Sequence, residues 1–191
     1  MLKPIDIMLV GVGGQGTILA TKVLARVAQD AGYDIKVSEI KGMAQRGGSV
    51  VTQLRLGPAI HAPLISEGGA DIILSFEKLE ALRWLDYLKP GGNLIINDQS
   101  IKPVPVLIGI AEYPDDVLQY IESKGIQLQV VNALDIAVQC GNARTANVVL
   151  LAVLAKHMPL AKEMWQQALT TVVPEKFRQV NLDAFAAGYQ L

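Results

Sequence analysis

Ile5-Asp6-Ile7-Met8-Leu9-Val10-Gly11-Val12-Gly13-Gly14-Gln15-Gly16-Thr17 is an apolar run that reads as a buried strand and stops in a cluster of glycines. A helical pattern begins at once, with Ile18, Leu19, Val23, Leu24, Val27 and Ala28 on one face. Strand, glycine turn and helix start make the first unit of a nucleotide-type α/β fold. Gly11, Gly13 and Gly16 match the spacing G-x-G-x-x-G. Glycines permit positive φ and close approach to the backbone, and a helix N-terminus offers unpaired N–H groups to an anion. Two readings fit: a turn that binds a phosphate-bearing or other anionic ligand, and a tight βα turn with nothing bound.

Outward from this turn, the helix spans 17–31 and stops at Gly32, and a short strand follows over 35–40. The next stretch is Lys41-Gly42-Met43-Ala44-Gln45-Arg46-Gly47-Gly48-Ser49, with two bases and three glycines in nine residues. Residues 50–56 alternate like a strand with one polar face and end at Gly57-Pro58. A buried strand is expected over 70–76 and an amphipathic helix over 77–88, with Leu79, Leu82, Leu85 and Leu88 on one face and Pro90-Gly91-Gly92 as its stop. Strands over 93–98 and 126–131 flank a proline-containing loop or edge strand over 100–114 and a helix over 115–124. From Asn142 onward the chain reads as helical, over 142–158, 160–173 and 175–187. The expected architecture is a single α/β domain over 1–191: a Rossmann-like three-layer sandwich, its sheet mostly parallel, with a helical C-terminal third.

Composition bounds the function. The chain has 191 residues, enough for one well-buried domain, with 51% hydrophobic residues and a mean hydropathy of +0.32. That apolar content fits a doubly covered parallel sheet or a large subunit interface. No apolar run approaches the ~18–20 residues needed to cross a bilayer, and the N-terminus leads straight into the glycine turn without a signal-peptide pattern, so a cytoplasmic protein without a membrane role is expected. A net charge of −1, with acids and bases interspersed, argues against a nucleic-acid footprint. The single cysteine, Cys140, excludes an internal disulfide and a four-cysteine cluster built from this chain alone. His157, just before Pro159, reads as a residue at a helix C-terminus, favourable there as a cation.

Several nucleotide folds compete for the turn. A nicotinamide Rossmann domain has an acid near the end of the second strand, and Glu39 stands near that place. Lys41 and Arg46 follow it, however, in a loop suited to an anion. A P-loop is excluded because no Gly-Lys-Ser or Gly-Lys-Thr follows the glycines. A methyltransferase would tolerate the glycines and Asp98, but nothing in the chain singles out a methyl acceptor.

Gly11-Val12-Gly13-Gly14-Gln15-Gly16, Gly42-Met43-Ala44-Gln45-Arg46-Gly47-Gly48 and Asn142-Ala143-Arg144-Thr145-Ala146-Asn147 together resemble the gamma-type domain of 2-oxoacid:ferredoxin oxidoreductases. The resemblance covers essentially the full length. Within that family a free-standing chain of this size is most similar to the small subunit of the indolepyruvate-type enzymes. The resemblance implies a shared enzyme in which a large partner subunit carries thiamine diphosphate, magnesium and [4Fe-4S] clusters. An arylpyruvate is decarboxylated there, electrons leave to ferredoxin, and coenzyme A takes the acyl group. It implies for this chain no catalytic residue of its own, a contribution to the coenzyme A region, and packing against the partner near the thiamine.

Roles follow on these positions. Gly13, Gly14, Gln15 and Gly16 would line an anionic group with backbone N–H donors, while Thr17 adds a hydroxyl or caps the helix. Arg46, flanked by Gly47 and Gly48, offers a donor fork suited to phosphate or carboxylate, or a salt bridge to an interface acid. Gln45 and Met43 would touch the ligand or the partner. Glu39 would orient the loop that holds Lys41 and Arg46. Arg144 and Asn147 lie one turn apart and would face the same crevice, the partner, or the chain itself as cap and tether. A stand-alone NAD(P)-dependent dehydrogenase and a non-catalytic regulator that binds coenzyme A or a nucleotide remain the alternatives.

Overall fold

The computed structural model describes residues 2–42 and 48–191. Its centre is β1 (Ile5–Val12), in which Ile7 and Leu9 enter one apolar core and Met8 and Val10 the other. A strand buried on both faces reads as a continuous apolar run, which is what Ile7 to Val10 provides. After the glycine turn comes α1 (Thr17–Asp30), then β2 (Asp34–Lys41) and β3 (Ser49–Gly57). The chain continues through β4 (Ala70–Ser75), α2 (Lys78–Arg83), β5 (Leu88–Asn97), α3 (Val104–Leu107), α4 (Val117–Ser123) and β6 (Leu128–Val131). Four helices finish it: α5 (Ala133–Gln139), α6 (Ala146–Lys156), α7 (Lys162–Val172) and α8 (Arg178–Tyr189).

The strands form one sheet in the order β2-β3-β1-β4-β5-β6. β1, β4, β5 and β6 pair in parallel, and β3 runs antiparallel to both β1 and β2. The sheet is therefore mostly parallel, as expected, with one reversed strand. Helices α1, α5, α6, α7 and α8 cover one face, and α2 and α4 the other. Nine consecutive residues of α6, Asn147 to Ala155, are buried. A helix apolar all round must be enclosed, and α6 is held between the sheet and its neighbours α1, α5 and α8.

Three local expectations are corrected. The helix expected over 77–88 ends at Arg83, and after a 3-10 turn at Leu85–Tyr87 the chain is already strand at Leu88. Pro90-Gly91-Gly92 therefore lies inside β5 as an irregularity instead of stopping a helix: Ala70 pairs with Leu88 while Ile72 pairs with Asn93. A Cβ on Gly92 would meet Leu88 Cδ1 at 2.9 Å and the Asp71 carbonyl oxygen at 3.0 Å, so the close strand contact requires glycine there. Residues 100–114 hold the short helix α3 in place of an edge strand, with Pro103 at its N-cap and Pro105 in the first turn, where a missing N–H costs nothing. Leu107, Ile108 and Ile110 on this segment are exposed. His157 does cap α6, but burial, and then Lys156, lower its pKa and disfavour the cation expected there.

No described helix is long and apolar enough to cross a membrane.

Candidate functional site

The connection after β1 leads to one side of the sheet, to β2, and the connection after β4 leads to the other, to β5. In open α/β sheets this divergence opens a crevice at the carboxyl ends of the strands. A cleft of about 700 Å³ lies there, lined among others by Gly13 to Gly16, Phe76, Asn97, Gln99, Arg144 and Asn147.

The glycine turn is specified atom by atom. A Cβ on Gly11 would stand 2.8 Å from Gln15 Oε1 and 2.9 Å from Phe76 Cβ. Gly16 is the N-cap of α1 with φ +80°, and a Cβ there would stand 2.4 Å from Asn147 Nδ2. The cap makes no side-chain hydrogen bond, so the capping role is not taken by Thr17, which is the buried first residue of the helix. Gly13 donates its N–H to the Gly48 carbonyl at 2.9 Å, which joins the two glycine stretches of the sequence. Gln15 N–H goes to the Val12 carbonyl at 3.3 Å. The expected anion-facing donor set therefore narrows: the N–H groups of Gly13 and Gln15 are used within the fold. Those of Gly14 and Gly16 have no acceptor among the described residues.

Gln15 instead acts through its side chain. Its Oε1 accepts from Val12 N–H at 2.8 Å, and its Nε2 donates to the Phe76 carbonyl at 2.7 Å and to Gln99 Oε1 at 3.0 Å. Asn97, buried at the end of β5, donates to the same two acceptors at 3.1 Å each, and its Oδ1 accepts from Ala133 N–H at 3.3 Å. These three amides form the floor of the cleft. Asn97 and Gln99 were not singled out by sequence reasoning. The available signal was a pair of amides at the end of an apolar strand, where the strand ends of a parallel sheet carry the site.

Asn147 meets the glycine turn, and Arg144 lines the same cleft. Asn142 caps a 3-10 turn at Ala143–Thr145, accepting Arg144 N–H at 3.0 Å, and this turn delivers α6. Asn147 Nδ2 donates to the Gly16 carbonyl at 3.1 Å. Its Oδ1 is buried with no partner among the described residues. Arg144 is exposed on the rim. The N-termini of α1 and α6 thus open on one cleft, a favourable setting for negative charge. Among the described residues no acidic side chain lines it.

Met43, Gln45, Arg46 and Gly47 lie outside the described residues. The chain on either side of them is held: Gly42 N–H donates to the Ser49 carbonyl at 2.7 Å, and Ser49 Oγ donates to the buried carboxylate of Glu80. Arg83 Nη1 reaches the other oxygen of Glu80 at 3.0 Å. Burial pushes the Glu80 pKa up, against the opposing pull of Ser49 and Arg83. Glu39 is bound to Lys41 at 2.8 Å and is not among the described residues that line the cleft.

The sequence profile described as pyruvate ferredoxin/flavodoxin oxidoreductase matches residues 6–191. The chain belongs to this family. It is 40% identical to the indolepyruvate oxidoreductase subunit IorB of Thermococcus kodakarensis, over 98% of this chain and 95% of that one. Its fold matches the gamma subunit of a keto/oxoacid ferredoxin oxidoreductase from Geobacter sulfurreducens, at a TM-score of 0.72 and 24% identity, over 97% of this chain and 96% of that one. It also matches part of the 2-oxoglutarate:ferredoxin oxidoreductase of Magnetococcus marinus, solved with 2-oxoglutarate, coenzyme A and succinyl-CoA bound. There the TM-score is 0.75 at 20% identity, over 98% of this chain and 31% of that one. As an expected member of the family, the chain adopts the gamma-type α/β fold, and its C-terminal third is helical.

Proposed function

We propose that this chain is the small subunit of an indolepyruvate-type 2-oxoacid:ferredoxin oxidoreductase. The observation that carries the reading is the cleft at the switch point of the sheet, rich in donors and with no acid among the described residues that line it, in a chain whose family runs through residues 6–191. The oxoacid loses carbon dioxide, an electron pair passes to ferredoxin, and the acyl group is joined to the thiol sulfur of coenzyme A. Thiamine diphosphate with magnesium, held by a large partner subunit, supplies the electron sink for the decarboxylation, and [4Fe-4S] clusters in that subunit carry the electrons.

This chain contributes binding and orientation. This reading assigns the chain no catalytic residue; the described side chains that line the cleft are amides, Arg144 and apolar groups. Gly14 and Gly16 N–H and the Arg144 guanidinium are suited to the phosphate-bearing end of coenzyme A, and the unpartnered Asn147 Oδ1 marks a polar position not completed by the chain itself. On this reading Arg46, in the second glycine stretch of the sequence, is a further candidate to meet the anion. The exposed Leu107, Ile108 and Ile110, on the segment that follows the cleft residue Ile101, are the face offered to the large subunit. Such an enzyme works in the cytoplasm, where ferredoxin and coenzyme A are available.

The test is co-expression with the large thiamine and iron–sulfur chain, followed by an assay of ferredoxin reduction that requires both indolepyruvate and coenzyme A. A stable chain that never associates, or a complex whose ferredoxin reduction needs no small subunit, overturns the reading.

A further inference from the structure

The three amides on the cleft floor leave only one orientation for Gln99. A carbonyl oxygen accepts and never donates, so Gln15 and Asn97, both bound to the Phe76 carbonyl, must each point an NH₂ group at it. Their other ends agree, because Gln15 Oε1 and Asn97 Oδ1 each accept from a backbone N–H. The second hydrogen of each NH₂ meets Gln99 at 3.0 and 3.1 Å, so Gln99 must present its oxygen to both. Its own NH₂ is turned away from the pair. Gln99 is partly exposed and lines the cleft, and this NH₂ has no acceptor among the described residues.

We infer that Gln99 is a specificity-determining residue that donates its side-chain NH₂ to an acceptor oxygen of the cleft's ligand, a phosphate or carboxylate oxygen. The polarity of this donor is imposed from behind by the Phe76 carbonyl through Gln15 and Asn97. An amide free to rotate would offer oxygen as readily as nitrogen; one held by two donors offers nitrogen alone. The donor therefore adds to Gly14, Gly16 and Arg144 in the same cleft. The identity of the ligand rests on the functional reading above; the donor polarity of Gln99 does not.

Gln99→Glu tests this directly. The glutamate keeps an oxygen facing Gln15 and Asn97 and replaces the outward NH₂ with a carboxylate oxygen. In the two-subunit complex the expected result is unchanged assembly and unfolding temperature, little change in kcat, and a rise of roughly tenfold or more in one KM. A rise for coenzyme A, absent when pantetheine replaces it, identifies a phosphate as the group read. A rise for the oxoacid identifies its carboxylate. Calorimetric binding of coenzyme A and of the oxoacid to the same complexes gives a readout independent of turnover. Gln99→Met, uncharged, is the second variant and weakens the same ligand. Unchanged KM and Kd for both ligands in both variants overturn the assignment, as does a wild-type complex that binds neither. A complex that binds coenzyme A but reduces no ferredoxin overturns the functional reading and leaves the Gln99 comparison intact.

Discussion

The side-chain amide of Asn147 donates to the carbonyl of Gly16 across 131 positions of sequence, at 3.1 Å. This bond ties the start of α6 to the start of α1 and explains why Gly16 tolerates no side chain, since a Cβ would stand 2.4 Å from the same nitrogen. The same residue that makes this tether also lines the cleft.

Gly16→Ala meets both a φ of +80° and that contact. The expected loss is roughly 1–3 kcal/mol, or about 2–4 °C in unfolding temperature per kcal/mol for a chain of this size. Combining it with Asn147→Ala relieves the contact but not the backbone conformation, so the double variant recovers part of the loss. Thermal unfolding of the four proteins, read as a double-mutant cycle, checks this.

Arg144 stands exposed at the rim, with no acid among the described residues that line the cleft beside it. Arg144→Ala is expected to raise the KM for coenzyme A by about tenfold with little change in stability, and Arg144→Glu by more. Steady-state kinetics of the reconstituted complex at two salt concentrations measure it. The wild-type KM itself rises with salt, and the alanine variant shows a weaker dependence.

The Glu80 pKa is raised in the folded state, first by burial. Between the unfolded value near 4.5 and the raised one, the folded chain binds more protons than the unfolded chain. This group's contribution is therefore present at low pH and lost as pH rises through the folded pKa. Glu80→Gln is expected to remove that decline while keeping an acceptor for Ser49 or Arg83. Denaturant midpoints measured from pH 4 to pH 8 for both proteins test the sign.

Tyr113 donates its hydroxyl to the buried Glu77 and accepts Leu79 N–H at 3.2 Å. Burial first, and then that bond to Glu77, push the phenol up to about 12. Glu77 in turn caps α2 through Glu80 N–H at 2.9 Å and holds Ile101 N–H at 3.0 Å. Tyr113→Phe strips one donor from a buried carboxylate and is expected to cost roughly 1–3 kcal/mol of stability. It should leave the KM for coenzyme A unchanged. Unfolding and kinetics on the same samples separate the two effects.

The local unit was legible because Ile5 to Thr17 carries strand burial, turn and helix start in contiguous residues. A helix over 142–158 was legible too, and the structure has α6 over Ala146–Lys156 within that span. What escaped sequence reasoning depended on pairs remote in the chain. Gln15 looked like one more member of a donor loop, yet its partners Phe76 and Gln99 lie 61 and 84 positions away, and they turn its side chain into the floor of the cleft. Leu85 and Leu88 kept helical spacing, but pairing with β4 drew Leu88 into β5. Proline and glycine at 90–92 carry the same letters for a helix stop and for an irregular strand, and only the neighbouring strand decides between them.

The reversal of β3 has an architectural consequence. Val12 pairs with Ser49, so the first residue of β3 lies beside the last residue of β1. A parallel strand in that position would begin at the opposite edge of the sheet, far from the cleft. Because β3 runs backwards, the β2–β3 connection returns to the rim, clamped by the Gly42–Ser49 and Gly13–Gly48 bonds. The reversal thereby brings both described flanks of that connection to the mouth of the cleft, on strands whose register is already set.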